Sequence, residues 1–146
     1  MERLKADYPQ FKWRIGARFR WRPATRTITV EKWAKNDRNG QKTAKSAGEG
    51  YVGQKYALLT LHELAHALLG HKDDSCDVLR LKCEAEAWEK VKSDLCGRYG
   101  VAWDEEFAQD NLDTYRAWLH KKSACPVCKQ CRLQTKTGEY VCLNGC

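Results

Sequence analysis

Between Tyr56 and Leu69 the chain is apolar nearly all round, yet His62, Glu63 and His66 stand in the middle of the run. A segment of that composition and length reads as a helix buried on most sides. Two imidazoles and a carboxylate inside such a helix are costly unless something binds them. On a helix, residues four apart lie one turn above the other, so His62 and His66 share a face. Both can reach one metal ion at the roughly 2.0–2.1 Å of a zinc–nitrogen bond. Glu63 points about 100° away around the axis, where it can meet a water on that ion as a general base. The spacing H-E-x-x-H therefore predicts a metal site with a built-in base at Glu63.

Catalytic zinc ordinarily takes three protein ligands, so a third is expected. Residues 77–99 read as a second amphipathic helix, with Leu81, Trp88, Val91 and Leu95 along one stripe. Glu84 fills the gap in that stripe, and a carboxylate on a core-facing line needs a partner. It is the expected third ligand, with Glu86 replacing it if the helix register is shifted. Glu86 and Glu89 otherwise read as solvated charges. His71, just past Gly70, competes for the role; its other reading is a helix-terminal residue facing the last carbonyls. His120 takes the same capping reading.

His62-Glu63-Leu64-Ala65-His66 followed by Glu84-Ala85-Glu86-Ala87 resembles the compact gluzincin-type metallopeptidases, especially the ImmA/IrrE-like proteins. In those proteins a helix carrying E-x-x-A follows the H-E-x-x-H helix, and its first glutamate binds zinc. Carried over, that pattern falls on Glu84 and Ala87. The resemblance covers roughly residues 50–100 and implies a zinc metallopeptidase, a hydrolase cleaving protein or peptide substrates.

The fold class expected is α+β: a small zincin-like domain over residues 1–121, built from a β-hairpin or sheet, the active-site helix and two further helices. A zinc-ribbon-like module follows over residues 122–146. Residues 18–30 alternate, with Phe19 and Trp21 between Arg18, Arg20 and Arg22, then Ile28 and Val30 between threonines; this predicts a two-stranded hairpin. By the zincin resemblance, Thr27 to Val30 is a candidate edge strand for pairing with extended substrate; an ordinary sheet strand is the other reading. Residues 34–53 are polar and glycine-rich and read as a long loop. A last helix is expected from Asp104, as N-cap, to Lys121, with Ala108, Leu112, Tyr115 and Leu119 inward.

The tail carries a second metal signal. Cys125 and Cys128 form a C-x-x-C pair, and Cys142 and Cys146 a C-x-x-x-C pair, separated by a stretch holding Thr137-Gly138. Four thiolates in two close pairs are a closed, structural zinc site. A unit this short cannot fold on apolar burial alone, so metal would supply its stability. Cys131 is an alternative to Cys125, and a disulfide framework is the alternative to metal. Cys76, Cys83 and Cys96 read as buried helix residues. The cofactors expected are thus two zinc ions, one catalytic at His62, His66 and Glu84, one structural at Cys125, Cys128, Cys142 and Cys146.

The formal charge of +7 is uneven: about +8 over residues 1–50, −5 over 51–120 and +4 over 121–146. The basic N-terminal hairpin and the tail could follow a nucleic-acid backbone, with Trp13, Phe19 and Trp21 stacking on bases; a solvated sheet face is the plainer reading. A metallopeptidase domain followed by a zinc ribbon also resembles the SprT/Spartan architecture, whose members act on DNA-bound proteins. The resemblance implies DNA association. No apolar run reaches the roughly 20 residues of a membrane span, and no secretory apolar region follows the N-terminus, so a cytoplasmic location is expected. The rival reading is a non-catalytic, zinc-stabilised nucleic-acid-binding protein.

Overall fold

The computed structural model describes residues 1–31, 48–72 and 76–146, with side chains from residue 53 onward in the second of these stretches. The chain is mixed α+β and forms two compact units, Met1–Lys72 with Ala87–Trp103, and Asp73–Glu86 with Asp104–Cys146. No described helix is both long and apolar enough to cross a membrane.

The first unit opens with a short helix, α1 (Glu2–Asp7), whose Leu4 is buried. Three strands follow: β1 (Lys12–Gly16), β2 (Arg20–Arg22) and β3 (Thr27–Glu31). They form one sheet in the order β1-β3-β2. The hairpin expected over residues 18–30 is present, since β2 and β3 pair antiparallel with Trp21 opposite Ile28. A 3₁₀ turn at Pro23–Thr25 joins them, closed by Arg26 in the left-handed region at φ 50°. β1 adds a parallel partner on the other side of β3, with Trp13 again opposite Ile28. Gly16 permits that approach: a Cβ there would stand 2.6 Å from the Thr29 methyl.

This topology corrects the substrate-edge expectation. Thr27–Val30 lies in the central strand, and its backbone groups are committed to β1 on one side and β2 on the other. A strand paired on both sides has no free ladder to offer an added peptide. Among the described residues the outer strands of the sheet are β1 and β2. Burial follows the same logic, with Ile28 and Val30 sealed inside and Thr27 buried beside them.

Helix α2 (Gly48–Leu69) packs on β2 and β3. Its start overturns part of the loop reading: Gly48–Gly53 is helical, while residues 34–47 lie outside the described residues. Leu58, Leu61, Leu64 and Ala65 are buried, as an all-round apolar helix requires. The Tyr56 hydroxyl donates to the Glu31 carbonyl at 2.7 Å, tying α2 to the end of β3. At the other end Gly70, at φ 70°, ends the helix, and the His71 N–H donates to the His66 carbonyl at 3.0 Å.

The expected second helix is one helical run in three parts: α3 (Asp77–Lys90), a π turn at Val91–Leu95, and α4 (Cys96–Tyr99). Trp88, Val91 and Leu95 are buried, and the π turn packs against α2. Gly100, at φ 65°, stops the run. Cys96 is buried as read, whereas Cys83 on α3 and Cys76 just before it are half-buried.

In the second unit, α5 (Glu105–Ser123) begins where the sequence indicates. The Asp104 carboxylate accepts from the Phe107 N–H at 2.9 Å, as an N-cap does. Ala108 and Leu112 are buried on its inner face, with Tyr115 and Leu119 half-buried. After α5, β4 (Leu133–Gln134) and β5 (Tyr140–Val141) form a short antiparallel hairpin. Its turn carries Gly138 at φ 89°.

The sheet makes a sharp stability contrast. Ile28 is fully buried in β3, whereas Ile15 in β1 is 72% exposed. Ile28→Ala should cost about 2–5 kcal/mol through the cavity it leaves, and Ile15→Ala about 0.5 kcal/mol or less. Urea unfolding of the two variants checks this; equal losses would refute the central placement of β3.

Candidate metal centres

Helix α2 turns His62 and His66 to the same side. Their Nε2 atoms stand 3.0 Å apart and the rings meet edge to face, with centroids 4.6 Å apart. Both residues are buried, on a helix whose other buried residues are mostly apolar. Two imidazole nitrogens that converge in this way form a natural two-nitrogen grip on a cation.

Each ring is held from behind. The far nitrogen of His66, Nδ1, lies 2.8 Å from Nδ1 of His71, so one proton is shared between the two rings. That bond engages Nδ1 of His66, leaves its Nε2 toward His62 and fixes the ring's orientation, the role that outer hydrogen bonds play around bound metals. His71 is thus neither a mere backbone cap nor, through this nitrogen, a competing ligand. It is itself located by Trp21, whose indole N–H donates to the His71 carbonyl at 2.9 Å. Behind His62 the ring of Trp88 lies nearly parallel, 4.2 Å between centroids, and Trp103 packs edge-on against Trp88. Neither the His71 ring contact nor the Trp88 stack is legible as a site feature in the sequence. Trp88 carries the signal of a core position, and His71 that of a helix end.

Glu84 lies on α3 one turn before Trp88. With His62 and His66 it belongs to a group of residues that could hold a metal ion. Two nitrogens and a carboxylate oxygen are a donor set that suits zinc, so the residues present fit that ion. Glu86 is exposed and pairs with Lys82 at 3.6 Å, and Glu89 is exposed. Glu63 is half-buried on α2 beside His62.

The tail brings a second group together. Cys125, Cys128, Cys142 and Cys146 each place a sulfur within 4.8 Å of the others. Cys131 is exposed and outside the group, so Cys125 is the member that pairs with Cys128. Cys128 and Cys142 have sulfurs 3.5 Å apart, a non-bonded contact. The loop after Cys125 wraps back on it: the Cys125 N–H donates to the Gln130 carbonyl and the Lys129 N–H to the Cys125 carbonyl. Amides of Cys128 and Val127 directed at the Cys125 sulfur lower its acidity range. The Gln130 amide, helped by the Cys142 thiol, pulls Cys128 down to about 6. Thiolates are the form that binds metal, so this loop favours that form at Cys125 and Cys128, whereas the neighbouring Cys128 and Cys142 push Cys146 up to about 12.

His120 is exposed near the end of α5 and belongs to neither group. Among the expected aromatics of a nucleic-acid surface, Phe19 packs edge-on against Tyr56 and Trp21 against Phe11. Arg18, Arg20 and Arg22 are exposed. Set beside known proteins, the chain matches no family model, no curated protein and no solved structure.

Proposed function

We propose that the chain is a zinc-dependent metallopeptidase that hydrolyses peptide bonds in protein or peptide substrates. The observation that carries this reading is the pair of imidazole nitrogens of His62 and His66, 3.0 Å apart beside Glu63 on a buried helix, with Glu84 a member of the same potential ligand group. His62, His66 and Glu84 would hold the ion. When bound, zinc supplies Lewis-acid polarisation of a water and of the scissile carbonyl. Glu63, displaced around α2 from the two imidazoles, is placed to take the proton of the attacking water and return it to the leaving amine. His71 holds the His66 ring in one orientation, and Trp88 holds the plane of His62.

The four-cysteine group takes a structural zinc in the same reading. Its four sulfurs would leave no open coordination position for a substrate, as closed tetrahedral sites do not. With so little apolar surface in the β4–β5 hairpin, the ion would stabilise the tail directly.

The exposed arginines of β2 and the basic tail keep DNA-associated proteins as the substrate class to test beside free peptides. The rival reading, a zinc-stabilised nucleic-acid binder without catalysis, makes a different prediction: salt-dependent DNA binding with no cleavage that a chelator stops.

Three variants test the proposal in the full chain. Glu63→Gln should keep two zinc ions per chain by metal analysis and lose at least about 100-fold in cleavage of a casein-type substrate; undiminished turnover would remove the base. His66→Ala and Glu84→Ala should each leave one zinc per chain, and two ions in either would refute the ligand set. His71→Phe keeps a ring but not the bond to His66. It should weaken zinc at the histidine site about 10–100-fold while sparing the cysteine site, as read by competition with a chromophoric chelator.

A further inference from the structure

Asp77 is a buried carboxylate, only 2% exposed, at the first residue of α3, and the chemistry above makes no use of it. Its Oδ2 receives the Lys122 ammonium at 2.7 Å, the Tyr140 hydroxyl at 2.8 Å and the Gln134 side-chain amide at 3.1 Å. Its own backbone N–H donates to the Gln134 side-chain oxygen at 2.8 Å. The Gln134 amide therefore grips Asp77 through both of its ends. Burial raises the Asp77 carboxyl, but the bonds from Lys122 and Tyr140 outweigh it and hold the group below the usual carboxylate range. An ion withdrawn from water to this degree needs all of these donors.

The origin of the donors is informative. Lys122 lies in the last turn of α5, three residues before Cys125. Tyr140 lies on β5, two residues before Cys142, and Gln134 faces it across the hairpin from β4. One donor thus comes from the segment leading into the first cysteine pair, and another from the segment leading into the second. Asp77 draws together the same two segments that four thiolates on one ion would draw together. Two constraints that select the same arrangement reinforce each other, and the reinforcement is reciprocal.

We infer that Asp77 is a positioning residue for the four-cysteine metal site, gathering the two segments that deliver its cysteine pairs, and that metal loading in turn fixes the start of α3. The inference rests on the structural-zinc part of the proposed function and is independent of the hydrolytic part. Its consequence reaches further, because Glu84 lies on the same helix two turns beyond Asp77. The metal state of the tail then acts on the helix that presents the proposed acidic ligand.

Cobalt titration of the full chain tests this, because thiolate charge-transfer absorption reads only the cysteine site. Asp77→Asn should weaken cobalt there about tenfold with the band shape unchanged. Lys122→Met should weaken it further, since it strands the buried carboxylate. The double variant D77N/K122M should bind more tightly than K122M alone, because no charge is then stranded. In the wild type, amide hydrogen exchange over the first two turns of α3 should slow about tenfold on loading the tail, and this slowing should shrink in D77N. Wild-type exchange indifferent to metal overturns the inference whatever the variants do. A D77N affinity equal to wild type, or additive losses in the double variant, also overturns it and leaves the structural zinc standing. A wild type with no thiolate band overturns both.

Discussion

Two imidazoles inside an otherwise apolar helix are the constraint around which the first unit is organised. Each buried ring has two nitrogens to satisfy, and an apolar core offers few partners. The fold meets the demand on His66 with His71, brought into reach because Gly70 ends α2 in the left-handed region and turns the chain back. It packs the face of His62 with Trp88 from the neighbouring helix. Beside these contacts the two Nε2 atoms face each other at 3.0 Å. A hydrogen bond between them serves one nitrogen of each ring, and a cation bound at the same point would serve both nitrogens at once. The supports are therefore specific in direction. They fix which nitrogen of His66 is free to ligate, and a rigid presentation of that kind is what separates a metal site from a chance pair of histidines.

The features most legible in the sequence were those in which a helical period meets a residue out of keeping with it. His62 and His66 at a spacing of four, and Glu84 on an apolar stripe, are such misfits, and the helix period alone puts the two histidines on one face. Cys125, Cys128, Cys142 and Cys146 were legible through pair spacing, while the choice between Cys125 and Cys131 was not, since both lie three residues from Cys128. Strand order was the least legible. β3 alternates as any strand with one buried face does, and alternation carries no information on whether one or two neighbours flank it. The parallel partner β1 has an exposed Ile15, which blurred its own alternation. Trp88 and Asp77 were hidden for a related reason: each has a role set by what reaches it from elsewhere in its unit, and neither breaks a local rule. Asp77 even looks ordinary, because an acidic residue at a helix start needs no further explanation.

Asp77 and the cysteine group illustrate how a small module manages without a large core. The β4–β5 hairpin is two residues long on each side, with Leu133 and Val141 exposed, so apolar burial contributes little to it. Two kinds of polar cross-link take its place: four sulfurs gathered at one point, and a carboxylate held by Lys122, Tyr140 and Gln134 at another. Lys122 also stands over the faces of Trp118 and Tyr140, so the cation bound to the carboxylate is itself seated on aromatic rings, and Arg132 stands over Tyr140 as well. Directional contacts of this kind specify one arrangement where a few apolar contacts would permit several. They also make the arrangement conditional. A hydrophobic core persists in any ionic medium, whereas a thiolate cluster depends on its ion. With the proposed ion bound, a tail built on such a cluster and tied to the first residue of α3 would pass that dependence to the helix on which Glu84 is carried.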